Sequence, residues 1–191
     1  MTVIRAEPTR RLPRAQRREQ ILDAATRTFA RAGFTNTSLD AIAAEAGVTP
    51  VILYRHFASK ADLYREVLDG GYIRLRDAVG GDEFDDASIP ALLRAAAADP
   101  DAFRLLFRYA LREPEFHDAV ENLSNSSTEI TRRHLTVITD DQWRTWAARL
   151  LPTLTTDAVI AWLDAGQPDP EQAAGRIRQV VDAVIHAAHG Q

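Results

Sequence analysis

The chain has 191 residues, 46% of them hydrophobic and 26% charged, enough for one large or two small domains with an apolar core. It has no cysteine, which excludes disulfides, thiol catalysis and cysteine-ligated metals. Net charge is −4, but residues 1–76 carry 13 Lys/Arg against 8 Asp/Glu, whereas residues 77–191 carry 10 against 19. That asymmetry suggests a basic, DNA-facing module on an acidic body. No run of about 18 apolar residues occurs, and the N-terminal stretch MTVIRAEPTRRLPRAQRR is basic without an apolar segment. Neither a membrane span nor a secretory signal is therefore expected, and the predicted location is cytoplasmic.

Residues 1–12 read as a disordered basic arm with Arg5, Pro8, Arg10 and Arg11. A first helix is predicted from Pro13 or Arg14 to Ala32, with Ile21, Leu22, Ala25 and Phe29 as its buried stripe and Gly33 ending it. Arg17 and Arg18 lie in its first turns, where cations oppose the helix dipole and a nearby phosphate would offset the cost. The stretch TSLDAIAAEAGVTPVILYRHF, residues 37–57, reads as two short helices about a tight turn. Thr37 is the expected N-cap of the first, with Asp40 three residues on. Gly47 makes the turn, Thr49 caps the second helix and Pro50 occupies its first position. The small-residue spacing from Ala43 to Gly47 is that of a helix-turn-helix, whose second helix enters the DNA major groove. Ser59 and Asp62 open a fourth helix with Leu63, Tyr64, Val67 and Leu68 inward. Gly70-Gly71 then marks a bend or hinge in that helix, or its end with a restart at Tyr72.

Arg14 to Leu68 resembles the DNA-binding domain of the TetR family of bacterial regulators. The resemblance is carried by Ile21-Leu22-x-x-Ala25-x-x-x-Phe29, Gly33-Phe34, Thr37-Ser38, Ile42-Ala43, Ala46-Gly47-Val48-Thr49, Leu53-Tyr54-x-x-Phe57 and Lys60-x-x-Leu63. It implies an all-helical fold: a three-helix DNA-binding domain over 13–74, joined by a connecting helix to a larger helical effector-binding and dimerisation domain over 75–191. It also implies that Thr37, Tyr54, His56 and Lys60 sit against phosphates. With Arg17, Arg18, Ser38, Thr49, Pro50, Val51 and Arg55 these form the expected DNA-facing set, of which Thr49, Val51 and Arg55 are the candidates for the groove. Two departures stand out. The family usually has Gly followed by Thr or a similar small residue where this chain has Val51 and Ile52, and Pro50 removes an N–H from the helix start. Polar base readout is then thin, and Val51 suits a thymine methyl.

Gly80 to Asp86, GGDEFDD, reads as a loop. Its letters match a diguanylate cyclase signature, but the strands and length of that domain are absent, so the match is chance. Helices are expected at 88–98, at 100–112 after Asp99-Pro100, and from Glu113-Pro114 toward Leu135 with a weak point at 124–127. The next, capped by Thr139 or Asp140, is predicted to continue past Pro152 with a kink. The last spans 170–188. No segment alternates with period two, so no sheet is expected.

The last two helices carry more apolar residues than one antiparallel pair hides, and the family likeness implies a four-helix dimer bundle. Ala158, Val159, Trp162, Ile177, Val181, Val184 and Ile185 are the expected interface. Phe103, Phe107, Phe116, Trp143 and Trp146 are the candidate lining of a pocket for a small apolar or amphipathic effector. No catalytic constellation, cofactor or metal is predicted; His117, His134, His186 and His189 read as surface or locally satisfied residues. The expected function is a homodimeric regulator of transcription, a repressor released from double-stranded DNA by its effector. The alternatives are a regulator without a small-molecule effector, and an all-helical enzyme.

Overall fold

The computed structural model describes residues 12–81 and 85–190, among which there are nine α-helices and no strand. Most of the basic arm, residues 1–11, and part of the 80–86 loop lie outside the described residues. Helix α1 (Arg14–Asn36) buries Ile21, Ala24, Ala25 and Phe29 completely on one face. At Gly33, φ 74°, the chain leaves the helical path. The Thr37 hydroxyl closes that corner by donating to the Gly33 carbonyl at 2.7 Å. Thr37 is therefore buried at the end of α1, and the N-cap of α2 (Leu39–Glu45) is Ser38, whose Oγ accepts from the Ala41 amide at 3.1 Å. The cap falls one residue later than expected because the corner takes up the threonine hydroxyl. Gly47, φ 62°, makes the turn, with Val48 N–H donating to the Ala43 carbonyl at 2.9 Å. Thr49 caps α3 (Pro50–Tyr54) with Pro50 at its first position, as the sequence indicates.

Helix α4 (Lys60–Ala78) starts at Ser59, which accepts from Asp62 N–H at 3.0 Å, and runs without interruption through Gly70-Gly71. The expected alternative of a helix end at Gly70 is therefore excluded. The two glycines differ. Gly71 is buried, and a Cβ there would lie 3.4 Å from Leu106 Cδ1, so this is where α4 and the body approach closely. A Cβ at Gly70 would meet only the far end of the Arg74 side chain, at 3.2 Å. Gly70→Ala is expected to stabilise the protein by about 1 kcal/mol, the helix-propensity difference. Gly71→Ala should give a similar gain, because its new methyl rests in ordinary van der Waals contact with Leu106. Thermal melts of the two variants check this.

In the body, α5 (Ser88–Ala98) leads through Asp99, which caps α6 (Pro100–Arg104) by accepting from Ala102 N–H at 3.0 Å. The helical run predicted over 100–112 is present, but its winding changes: Leu105–Tyr109 is a π turn and Ala110–Arg112 a 3-10 turn. A further 3-10 turn, Pro114–Phe116, precedes α7 (His117–His134). Helix α7 does not weaken at 124–127; the Ser126 hydroxyl donates back to the Asn122 carbonyl at 2.9 Å instead of competing with the helix. Helix α8 (Asp141–Asp164), capped by Asp140, continues through Pro152, and α9 (Pro170–His189) is capped by Asp169.

Three apolar cores result. One lies under the helix-turn-helix and gathers Ile21, Phe29, Ile42, Leu53, Leu63 and Tyr64, but also Leu105, Leu106, Ala110, Phe116 and Val120 from the body. The second joins Leu93 and Phe103 to Val159, Trp162 and Ile177. The third holds Leu135, Ile138, Ala147, Leu151 and Ala188. The first core thus continues past residue 74. At its seam the Phe116 ring lies 4.7 Å from Phe34 and 4.4 Å from Tyr64, and Glu113 Oε1 accepts from the Phe34 amide at 3.2 Å. The Tyr64 hydroxyl is buried there without a hydrogen-bond partner. Burial, and then the Glu113 charge, push its pKa well above that of a free phenol.

Candidate nucleic-acid interface

A five-residue helix has little more than one turn, so its inward residues decide its outward ones. Leu53 is fully buried and Ile52 half-buried, which turns Thr49, Pro50, Val51, Tyr54 and Arg55 to solvent. Val51 is 60% and Tyr54 58% exposed. Neither side chain is part of the core. Ser38 is exposed beside them, its hydroxyl oxygen engaged as the α2 cap.

A basic edge borders this face. Arg14, Arg17 and Arg18 lie close enough to His56 that, after burial, their charges hold its imidazole below the ordinary histidine pKa. It is therefore neutral at pH 7. Arg17 donates to Gln20 Oε1 at 2.8 Å, and Gln20 Nε2 donates to the Ala46 carbonyl at 2.7 Å, so the start of α1 holds the end of α2.

Three of the expected DNA-facing residues are engaged inside the protein. Arg18 donates to the His56 carbonyl at 3.1 Å, pairs with Glu66 and lies 4.5 Å above the Phe57 ring. Thr37 is buried in its corner. Lys60 Nζ donates to the carbonyls of Phe34 at 2.8 Å and Thr37 at 2.9 Å, reaches that of Thr35 at 3.4 Å, and sits 4.3 Å above the Phe34 ring. The cause is local: the break at Gly33 leaves carbonyls at the end of α1 without helical partners, and the nearest ammonium satisfies them. Lys60→Ala is accordingly expected to lower stability by about 2 kcal/mol, the scale of charge-assisted hydrogen bonds. Urea unfolding checks it, and an unchanged midpoint would show that Lys60 is no brace.

Sequence reasoning missed the partners that make these braces. Gln20, Glu66 and Glu113 reach across 26 to 79 residues. Glu45 likewise accepts from Arg27 at 3.0 Å and Arg31 at 2.9 Å, and those hydrogen bonds, Arg27 first, hold its carboxyl below the usual range. No periodicity announces such long-range pairs.

The body holds a half-open cavity of about 580 Å³ between α4, α5, α7, α8 and α9. Of the five aromatics expected to line it, only Phe107 does. Phe103 stacks behind it in the second core at 4.8 Å, and Phe116 belongs to the first core. Trp143 and Trp146 are 54% and 42% exposed on the outside of α8, edge to face at 5.8 Å, because Ala147, Ala148 and Leu151 are the residues α8 turns inward. The walls come instead from Tyr72, Leu75, Leu123, Ile130, Leu151 and Ile185.

The expected pairing residues are similarly redistributed. Val159, Trp162 and Ile177 are buried within the chain, and Ala158, Val181, Val184 and Ile185 are half-buried against the inner cores. The apolar stripe facing outward is Trp143, Trp146, Leu150, Leu154 and Ala161 on α8, with Val180 and Ala183 on α9. Both helices have two apolar faces: α5 and α6 cover Ala158, Val159, Trp162 and Ile177, while Val184 and Ile185 pack against the third core. Among the described residues no helix is long and apolar enough to cross a membrane, and no group of three His, Asp or Glu is placed to hold a metal ion.

Residues 21–67 match the family model for bacterial regulatory proteins of the tetR family. The HTH-type transcriptional activator FasR of Mycolicibacterium smegmatis is 28% identical over 177 residues, which cover 86% of this chain and 80% of that protein. The HTH-type transcriptional repressor SCO4008 of Streptomyces coelicolor is 36% identical over 89 residues, 46% of each chain. Among solved structures, a TetR-like transcriptional regulator from Rhodococcus sp. RHA1 has a TM-score of 0.78 at 24% identity, with 90% of this chain and 96% of that one covered. NalD, the secondary repressor of the MexAB-OprM multidrug efflux pump in Pseudomonas aeruginosa, has a TM-score of 0.68 at 20% identity, with coverage of 89% and 95%. The structural likenesses establish the all-helical fold, and the relatives matched in sequence are regulators rather than enzymes. The helix-turn-helix formed by α2 and α3 lies within the stretch that matches the tetR family model, so residues 21–67 are a DNA-binding domain of the kind found in bacterial regulators of that family.

Proposed function

We propose that the protein is a homodimeric repressor that leaves its operator when a small apolar or amphipathic molecule enters the body cavity. Residues 13–74 read DNA, and residues 75–191 sense the effector and pair two copies. The observation that carries this reading is the double role of one segment. Residues 105–123 present Phe107, Leu111 and Leu123 to the cavity, while Leu105, Ala110 and Phe116 belong to the core beneath the helix-turn-helix. A change in the cavity walls is thereby felt at Phe34 and Tyr64.

In this reading Thr49, Tyr54 and the Arg14–Arg17 edge position the protein on phosphates, while Arg55 and Val51 face the bases. Two copies joined along the outer stripe of α8 and α9 present two α3 helices to a palindrome. Repression is favoured by the roles that SCO4008 and NalD carry in their names; the role of FasR supports activation as the second reading. Transcription in vitro from a promoter bearing the operator separates the two.

The primary test is capture of genomic fragments by the purified protein, followed by affinity measurements over a salt series. Affinity should fall steeply with salt. Arg55→Ala is expected to cost about 1–3 kcal/mol and to relax discrimination at one position of each half-site. A variant that binds every operator sequence as the wild type does would remove Arg55 from the groove.

A further inference from the structure

We propose that DNA binding by this protein is linked to protons: each subunit takes up a proton at His56 when a backbone phosphate docks on the edge formed by that ring, Arg14 and Arg17, so the grip on DNA tightens as pH falls. The inference rests on the helix-turn-helix face meeting DNA and adds how that contact is regulated.

His56 is the sole histidine in residues 1–76. No other side chain of that basic third has an ordinary pKa between about 5 and 8. The residue lies just beyond α3 and is half-buried. Its carbonyl accepts from Arg18 at 3.1 Å and its amide donates to the Leu53 carbonyl at 2.9 Å. Those two bonds hold it beside the start of α1.

The charges around it are unbalanced. From α1 the ring meets Arg14, Arg17 and Arg18. Arg18 is paired with Glu66 of α4. Among the described residues no carboxylate lies within ion-pairing distance of Arg14 or Arg17, and Arg17 donates to the neutral Gln20 instead. The other charges of the neighbouring elements are engaged elsewhere. Asp62 of α4 pairs with its own Arg65, Lys60 is turned to the carbonyls of Phe34 and Thr37, and Glu45 of α2 is held by Arg27 and Arg31. Arg55, the residue before the histidine, is exposed. What the edge lacks is an anion.

In the free protein, burial and the arginine charges favour the neutral imidazole. A phosphate on that edge offsets the arginines' field and sets its own negative oxygens beside the ring, which favours imidazolium. The complex therefore protonates His56 at a higher pH than the free protein does. Affinity gains as pH falls through the pKa of the complex and levels off below that of the free protein; above both, no proton is taken up.

The test uses the full-length protein and a mixed-sequence DNA duplex at low salt, since phosphate contacts carry no base sequence. Wild-type affinity is expected to rise about ten-fold per bound subunit between about pH 8 and about pH 5.5, the equivalent of about one pKa unit. Calorimetry at about pH 6.5 in buffers of different ionisation enthalpy should show proton uptake by the wild type and little or none by His56→Gln. The ring C–H resonances of His56, followed by NMR in the wild type, should titrate at a higher pH in the complex than in the free protein, a readout that needs no variant. A ring that titrates at the same or a lower pH in the complex, or uptake that survives His56→Gln, would overturn the proton linkage while DNA binding stands. Failure of the wild type to bind the duplex at any pH would sink the DNA reading of this face, and the linkage with it.

Discussion

Truncating Phe116 to alanine is expected to destabilise the protein by about 3–5 kcal/mol, the usual scale for a buried phenylalanine. Phe116 is 1% exposed, and its ring meets both Phe34 and Tyr64, with the Arg65 guanidinium 5.3 Å from its centroid. Removing it opens a void beside the unpartnered Tyr64 hydroxyl, where little else can collapse inward. Phe116→Leu keeps most of the volume and is the variant for function. Glu113→Gln keeps an acceptor for the Phe34 amide but removes the charge. If residues 105–123 carry the effector signal, both milder variants should bind operator as the wild type does without effector and should release it several-fold less readily with effector. Full release at wild-type effector concentrations would mean that the signal travels elsewhere, with α4 the next candidate.

The parts of the fold legible in the sequence are those decided within one or two turns of chain. Thr49, Ser59 and Asp99 cap helices where their side chains and the residues after them indicate, Asp140 takes the cap for which Thr139 is the alternative, and Gly47 makes its turn. Local chemistry settles these positions because donor and acceptor lie two or three residues apart. What the sequence leaves open is direction. Periodicity places Trp143 and Trp146 on one stripe and Ala147, Ala148 and Leu151 on another, but not which stripe meets α7 and α9. Large aromatics are the natural guess for an interior; here small residues occupy the inward face because the helices pack closely. Lys60 shows the same limit. A lysine at a helix start beside a DNA-reading motif reads as a phosphate ligand, and only the corner at Gly33 reveals carbonyls that need it more. The change to a π turn at Leu105–Tyr109 leaves no mark in the pattern of Phe103, Leu106, Phe107 and Ala110.

Replacing Trp146 and Leu150 by aspartate is expected to yield a folded monomer that no longer holds a palindromic operator. Trp146 and its neighbour Trp143 are roughly half exposed in the single chain, and Leu150 and Leu154 continue their stripe. A tryptophan ring carries about 150–250 Å² of burial when fully covered. Covering the exposed half of each is therefore worth about 2–3 kcal/mol at about 25 cal/mol per Å². Four such rings, two from each copy, contribute on the order of 10 kcal/mol before the cost of association, a scale that supports a stable dimer. Aspartates within that contact would be desolvated without partners, which outweighs any remaining apolar gain. The choice of positions matters. Val181→Arg looks from the sequence like the obvious way to charge the interface, but Val181 is half-buried between the second and third cores, so a charge there damages the fold itself. Trp146 is exposed, and Leu150, though half-buried, packs against none of the three cores, so the α8 residues that hold the inner core are untouched. Sedimentation at micromolar concentration should show the wild type as a dimer and the double variant as a monomer with the same helical circular dichroism. Its operator affinity should fall by about a hundred-fold or more, because a single helix-turn-helix contacts only one half-site. A wild type that sediments as a monomer, or a variant that remains a dimer, would refute pairing through this face.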